Sequence, residues 1–123
     1  MKSSIENELN IKGYVFYDVH GNSMQPLIRQ DKDLAVINKV TGSLHKYDII
    51  LYKRDNKLIL HRIVKIKDGK YIIAGDNCAY KEYDITDDNI IGILSSIERN
   101  AKLKKHQKSI PVNSLGQKIY AYV

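Results

Sequence analysis

Three short runs in this chain hold side chains that can do chemistry together: Gly21-Asn22-Ser23-Met24-Gln25-Pro26, Leu60-His61-Arg62-Ile63-Val64 and Ala74-Gly75-Asp76-Asn77. Between them they supply a hydroxyl, an imidazole and a carboxylate. A serine hydroxyl is a weak nucleophile until a base takes its proton, and attack also needs free N–H groups nearby to hold the oxyanion. A Gly-Asn-Ser turn leaving a strand exposes both, and Pro26 fixes φ and stiffens it. His61 is the candidate base, and Asp76 the candidate acid that orients it, as the third member of a Ser-His-Asp arrangement does. Each run also has a plainer reading. Gly, Asn, Ser and Pro dominate ordinary turns, and Gly-Asp-Asn at a strand end is itself a turn. A histidine between Ile59 and Ile63 on one strand face is commonly a half-buried, satisfied side chain. Cys78 offers a thiol near His61, but single cysteines are commonly buried and inert. His20, His45 and His106 lie in loops or charged runs. No His-x-His or Cys-x-x-Cys pairing is present, so neither a metal site nor a cofactor is expected.

The elements that must position these residues read as short strands. Residues 3–10 form one short helix, with Ser3 and Glu6 at capping-box spacing and Ile5 and Leu9 on one face. Strands are predicted over 14–19, 33–40, 48–53, 58–67, 70–74 and 89–97, with 118–123 as an edge strand or tail. Arg54-Asp55-Asn56-Lys57 is a hairpin turn, and Asp68-Gly69 is the strongest hairpin signal in the chain. In an ideal two-residue hairpin about Asp68-Gly69, His61 and Asp76 are close neighbours across the strands. Residues 78–88 read as a polar, acidic loop, and residues 99–108 as a basic run, solvated as a tail. No aromatic residue interleaves with that run, which argues against a base-stacking surface, so no nucleic-acid partner is expected. Several short strands spaced by turns give a mainly β fold: a small, closed or half-open barrel-like coiled sheet with a short N-terminal helix.

Bulk composition agrees. The 123 residues are one domain's worth, with a core at about 13–98 and a basic extension at 99–123. At 43% apolar and 28% charged the chain is neither disordered nor a membrane bundle. It has no apolar stretch near the ~20 residues that span a bilayer. The first residues, MKSSIENELN, lack the apolar core of a secretory signal. One cysteine excludes an internal disulfide and fits a reducing, cytoplasmic setting. The net charge of +6 is compatible with peripheral contact to an anionic membrane.

Taken in order, the motifs resemble a known group. Gly21-Asn22-Ser23-Met24-Gln25-Pro26 resembles the Ser-Met-x-Pro box of signal peptidase I and its relatives. Asp33-Leu34-Ala35-Val36 and Tyr47-Asp48-Ile49-Ile50-Leu51-Tyr52-Lys53 resemble the barrel strands that follow it. Leu60-His61-Arg62-Ile63-Val64 is similar to the base-bearing strand, and Gly75-Asp76-Asn77 to the Gly-Asp-Asn box. The resemblance covers about residues 13–98. Bacterial signal peptidases and LexA-like proteases carry lysine where this chain has His61, whereas the endoplasmic-reticulum and archaeal type carries histidine. The resemblance therefore implies the Ser-His branch, with Ser23 as nucleophile, His61 as general base and Asp76 as the orienting acid. A second acid follows in that branch, for which Glu82 and Asp84 are the candidates. Many members place a hydroxyl two residues before the nucleophile. Here that position is Gly21, so the oxyanion relies on the Ser23 N–H and on Asn22, with substrate pockets near Met24 and the Ile/Leu strand faces.

The function implied is that of a short serine endopeptidase, without a membrane anchor, that cleaves a leader or signal-like peptide laid against a strand edge. A catalytically idle module that keeps the fold and binds a peptide or protein is the rival reading, motivated by the missing anchor and by Gly21. A self-cleaving regulator of the LexA type is a third. It needs a DNA-binding domain and a scissile bond before the nucleophile, and residues 1–22 have room for neither.

Overall fold

Alternating apolar residues and two-residue turns build one antiparallel sheet of eight strands, preceded by a helix. The computed structural model describes residues 4–112. Helix α1 (Ser4–Lys12) buries Leu9, and the Gly13 N–H closes its last turn on the Leu9 carbonyl at 2.9 Å. The expected cap Ser3 and the expected strand at 118–123 lie outside the described residues. The strands are β1 (Tyr14–Tyr17), β2 (Leu34–Asn38), β3 (Ile49–Arg54), β4 (Lys57–Lys67), β5 (Lys70–Ala74), β6 (Glu82–Ile85), β7 (Ile90–Arg99) and β8 (Lys108–Pro111). Their order across the sheet is β1-β2-β7-β3-β4-β5-β6, with β8 on the far part of β7. The sheet does not close, so the fold is the mainly β, half-open form of the architecture expected.

Both hairpin turns fall where the residues predict them. Asp55 and Asn56 take φ of 50° and 64°, and Asp68 and Gly69 take 52° and 73°. Two successive positive φ values make the tight turn whose twist matches paired strands. The first turn pairs Ile50 with His61 and Leu51 with Leu60. The second pairs Lys67 with Lys70, and a bulge at Val64 then shifts the register, so that Arg62 faces Ala74.

Two expectations change. The 78–88 loop contains β6 and a short 3₁₀ turn, Asp87–Asn89. The basic run at 99–108 is not a solvated tail. It turns back as β8, which pairs with β7 from Ser96↔Pro111 to Arg99↔Lys108. Two of its charges are engaged, Arg99 with Asp33 and Lys102 with Asp18 and the Gln30 carbonyl, while Lys104, Lys105 and Lys108 are exposed.

Two apolar clusters flank the sheet. One packs Leu9, Val15, Met24, Leu27 and Ile28 against Ile37, Leu51 and Leu94. The other joins Ile50, Tyr52, Ile63, Tyr71, Ile73 and Ile85. Strand β3 is buried on both faces, with Ile49 and Leu51 in the first cluster and Ile50 and Tyr52 in the second. No helix among the described residues is long and apolar enough to cross a membrane.

Candidate active site

Ser23 sits in the irregular segment between β1 and β2. Apolar side chains anchor that segment: Met24 and Ile28 have no exposed surface, and Leu27 has almost none. Met24, beside which a substrate pocket was expected, presents no surface of its own to a substrate. Its thioether is drawn into the core, where burial of a flexible apolar chain is favourable, and its Sδ accepts the Asp76 N–H at 3.4 Å. The backbone turns tightly around it, with Gln25 N–H on the Asn22 carbonyl at 3.1 Å and Ile28 N–H on the Met24 carbonyl at 3.0 Å. Gly21 is exposed at φ 88°, and its N–H donates to Gln30 Oε1 at 2.8 Å. Ser23 itself is half-buried. Among the described residues, no acceptor takes its N–H.

His61 lies in the middle of β4, buried on the face it shares with Ile63. Its Nε2 is 3.1 Å from Ser23 Oγ, although 38 residues separate them. Its Nδ1 is 3.3 Å from the Tyr52 hydroxyl. Tyr52 donates in turn to Glu82 Oε1 at 2.8 Å, and Arg54 pairs with Glu82 Oε2. Burial lowers the His61 pKa below that of an ordinary imidazole; the Glu82 and Asp76 carboxylates act in the opposite direction and do not outweigh it. Burial, and then the bond to Glu82, hold the Tyr52 hydroxyl far above the ordinary tyrosine range, so it stays protonated.

The acid expected to touch His61 does something else. Asp76 accepts two hydrogen bonds from Arg62, Nε to Oδ1 at 2.7 Å and the terminal nitrogen to Oδ2 at 2.8 Å. The Val64 bulge is the reason. Without it, the hairpin register sets His61 opposite Asp76. One extra residue in β4 moves the register by one, and a one-residue slip exchanges the faces of a strand. Arg62, completely buried, then shares a face with Ala74 and, two residues on, Asp76. Of the other two acids, Asp84 is 90% exposed and lies 3.8 Å from Lys70, whereas Glu82 reaches His61 through Tyr52.

The Gly75-Asp76-Asn77 run holds the Ser23 segment in place. Asn77 donates its N–H to the Ser23 carbonyl at 2.7 Å and its side-chain amide to the Asn22 carbonyl at 3.1 Å. At Gly75, a Cβ would stand 2.8 Å from the Ser23 carbonyl oxygen, 2.8 Å from Cys78 Sγ and 2.9 Å from His61 Nε2. Only glycine allows three segments to meet so closely. Cys78 is half-buried beside the site, while the His61 Nε2 contact goes to Ser23. His20, His45 and His106 are exposed. No cluster of three metal-ligating side chains exists among the described residues. A cavity of about 630 Å³ between α1, residues 39–44 and the 3₁₀ turn includes neither Ser23 nor His61.

Sequence reasoning missed Tyr52. The signal was present, because the Asp55-Asn56 turn sets Ile50 opposite His61 and so puts Tyr52 on the same face, one diagonal away. Tyr52 and His61 ring centres are 6.2 Å apart. Glu82 was a candidate, but nothing local indicated that it would act through a tyrosine.

The mainly β, open antiparallel sheet agrees with what comparison with known families finds. Residues 4–95 match the model of the Peptidase S24-like family. The chain belongs to that family, and with it to the LexA/signal peptidase superfamily. No individual curated protein matches the chain.

Proposed function

We propose that this protein is a serine endopeptidase of the Ser-His type, in which Ser23 attacks a peptide bond and His61 is the general base. The observation that carries this reading is the 3.1 Å contact between Ser23 Oγ and His61 Nε2, within the reach a general base needs. Neutral His61 takes the Ser23 proton as Oγ adds to the scissile carbonyl carbon. The oxyanion is held by the Ser23 N–H. His61 then gives its proton to the leaving amine, and water attacks the acyl-enzyme by the same route in reverse. The Gly21 N–H is spent on Gln30, so the oxyanion hole draws on Ser23 and its neighbour Asn22. The substrate is an extended leader or signal-like peptide. Strand β1 is an end strand of the sheet and leads directly into the Ser23 segment. Among the described residues its outer edge pairs with no other strand, and that edge offers ladder hydrogen bonds to such a peptide.

A fluorophosphonate probe tests this without knowledge of the substrate. We expect labelling of wild type at Ser23, and none in Ser23→Ala or His61→Ala. No labelling of the wild-type chain at any pH from about 6 to 9 would favour an idle binding module instead, a reading that the occupied Gly21 N–H supports.

A further inference from the structure

A neutral imidazole carries one N–H and one lone pair, and its neighbours decide which nitrogen holds which. The Tyr52 hydroxyl has a single proton, and Glu82 Oε1 takes it at 2.8 Å. Glu82 cannot be displaced easily from that position, because Arg54 holds its other oxygen. Toward His61 Nδ1, 3.3 Å away, Tyr52 therefore presents a lone pair. Two facing lone pairs repel, so Nδ1 carries the proton. The lone pair of Nε2 is left pointing at Ser23 Oγ, which is the arrangement a base needs. Among the described residues the other carboxylate acting on His61, that of Asp76, has both oxygens bound to Arg62.

We propose that Tyr52 and Glu82 are the positioning pair of this site: Glu82 fixes the direction of the Tyr52 hydroxyl, and Tyr52 fixes the tautomer and orientation of His61. The proposal rests on the Ser23–His61 reading for its catalytic meaning, but the tautomer it assigns is independent of activity. No proton passes along the pair. The Tyr52 proton stays on its oxygen, and when His61 becomes an imidazolium its Nδ1–H becomes a stronger donor to an oxygen already polarised by Glu82.

The test uses the full chain and two readouts: the ¹⁵N shifts of the His61 ring, and the pH dependence of the fluorophosphonate labelling rate. Wild type should show the proton on Nδ1 throughout the neutral range. Tyr52→Phe keeps the ring and removes the acceptor. It should mix the two tautomers and slow labelling roughly ten- to a hundredfold, the scale of one hydrogen bond to a group that becomes charged. Glu82→Gln, nearer the surface, should give a smaller loss in the same direction, and it carries the test together with the wild-type spectrum if Tyr52→Phe does not fold. A wild-type ring protonated on Nε2 would overturn the proposal. So would a Tyr52→Phe protein with unchanged tautomer and rate. If wild type is not labelled but the tautomer responds to Tyr52→Phe, the peptidase reading fails and the positioning pair stands.

Discussion

His61 must be neutral to accept a proton, so its titration sets the lower pH limit of any chemistry at Ser23. A carboxylate beside it suggests a raised pKa and a rate that climbs between about pH 6 and 8. The structure reverses the sign, because burial of the ring outweighs the Glu82 and Asp76 charges. With the pKa below the ordinary value of about 6.5, the neutral base persists to lower pH. Labelling of Ser23 should rise through one ionisation centred below that value and be level at neutrality; a midpoint above it would contradict the assignment. Glu82→Gln removes a charge that favours the imidazolium, so its midpoint should lie lower still. Ser23 and His61 were legible because their boxes fall in order along the chain. The group behind His61 was not, since it is assembled from Tyr52 and Glu82, residues 30 positions apart that meet only when β3 and β6 are both in the sheet.

At the scale of the elements, one bulge decides which acid does what. The turns were readable, because Asp-Asn and Asp-Gly accept positive φ. The bulge was not, because Val64 is an ordinary β-branched strand residue and nothing in its type marks an extra residue. Its effect is to give Asp76 to Arg62, whose side chain is wholly buried. Asp76→Asn takes the matching carboxylate from that guanidinium. Removing one partner of a buried pair costs about 3–5 kcal/mol, and a loss of about 3 kcal/mol is expected here, read from urea unfolding. Labelling of the protein that remains folded should fall less than in Tyr52→Phe. The opposite ranking would restore Asp76 to the role the hairpin register first suggested. Strands β6 and β8 were equally hard to read, since each is only four residues long, with the sequences EYDI and KSIP, at the lower limit of length for reading an alternation.

Across the whole molecule, Asp33 ties the serine segment to the end of β7. Its carboxylate is completely buried and accepts from the Arg29 N–H and side chain, the Asn100 N–H and Arg99. Burial alone would raise its pKa, but the hydrogen bonds from Arg29 and Asn100 and the charge of Arg99 together hold it below the ordinary carboxylate range. A depressed pKa contributes stability above the unfolded value of about 3.9, and that stability is lost as pH falls through the folded value. Urea midpoints of wild type and Asp33→Asn should therefore differ most at neutral pH and converge below about pH 4. A constant gap would show that the charge is not what holds these segments together. The topology that Asp33 closes also has a consequence in time. Among the described strands, β1 and β2, which flank Ser23, never pair with the β3–β6 meander that carries His61, Tyr52 and Glu82; β7 alone bridges them in the sheet. A ribosome delivers β7 after all of those side chains. A nascent chain that has emerged only through residue 89 holds Ser23, His61, Tyr52 and Glu82 and lacks the strand that joins β2 to β3 in one sheet. Labelling of Ser23 by the fluorophosphonate should thus appear late during synthesis, once β7 has emerged.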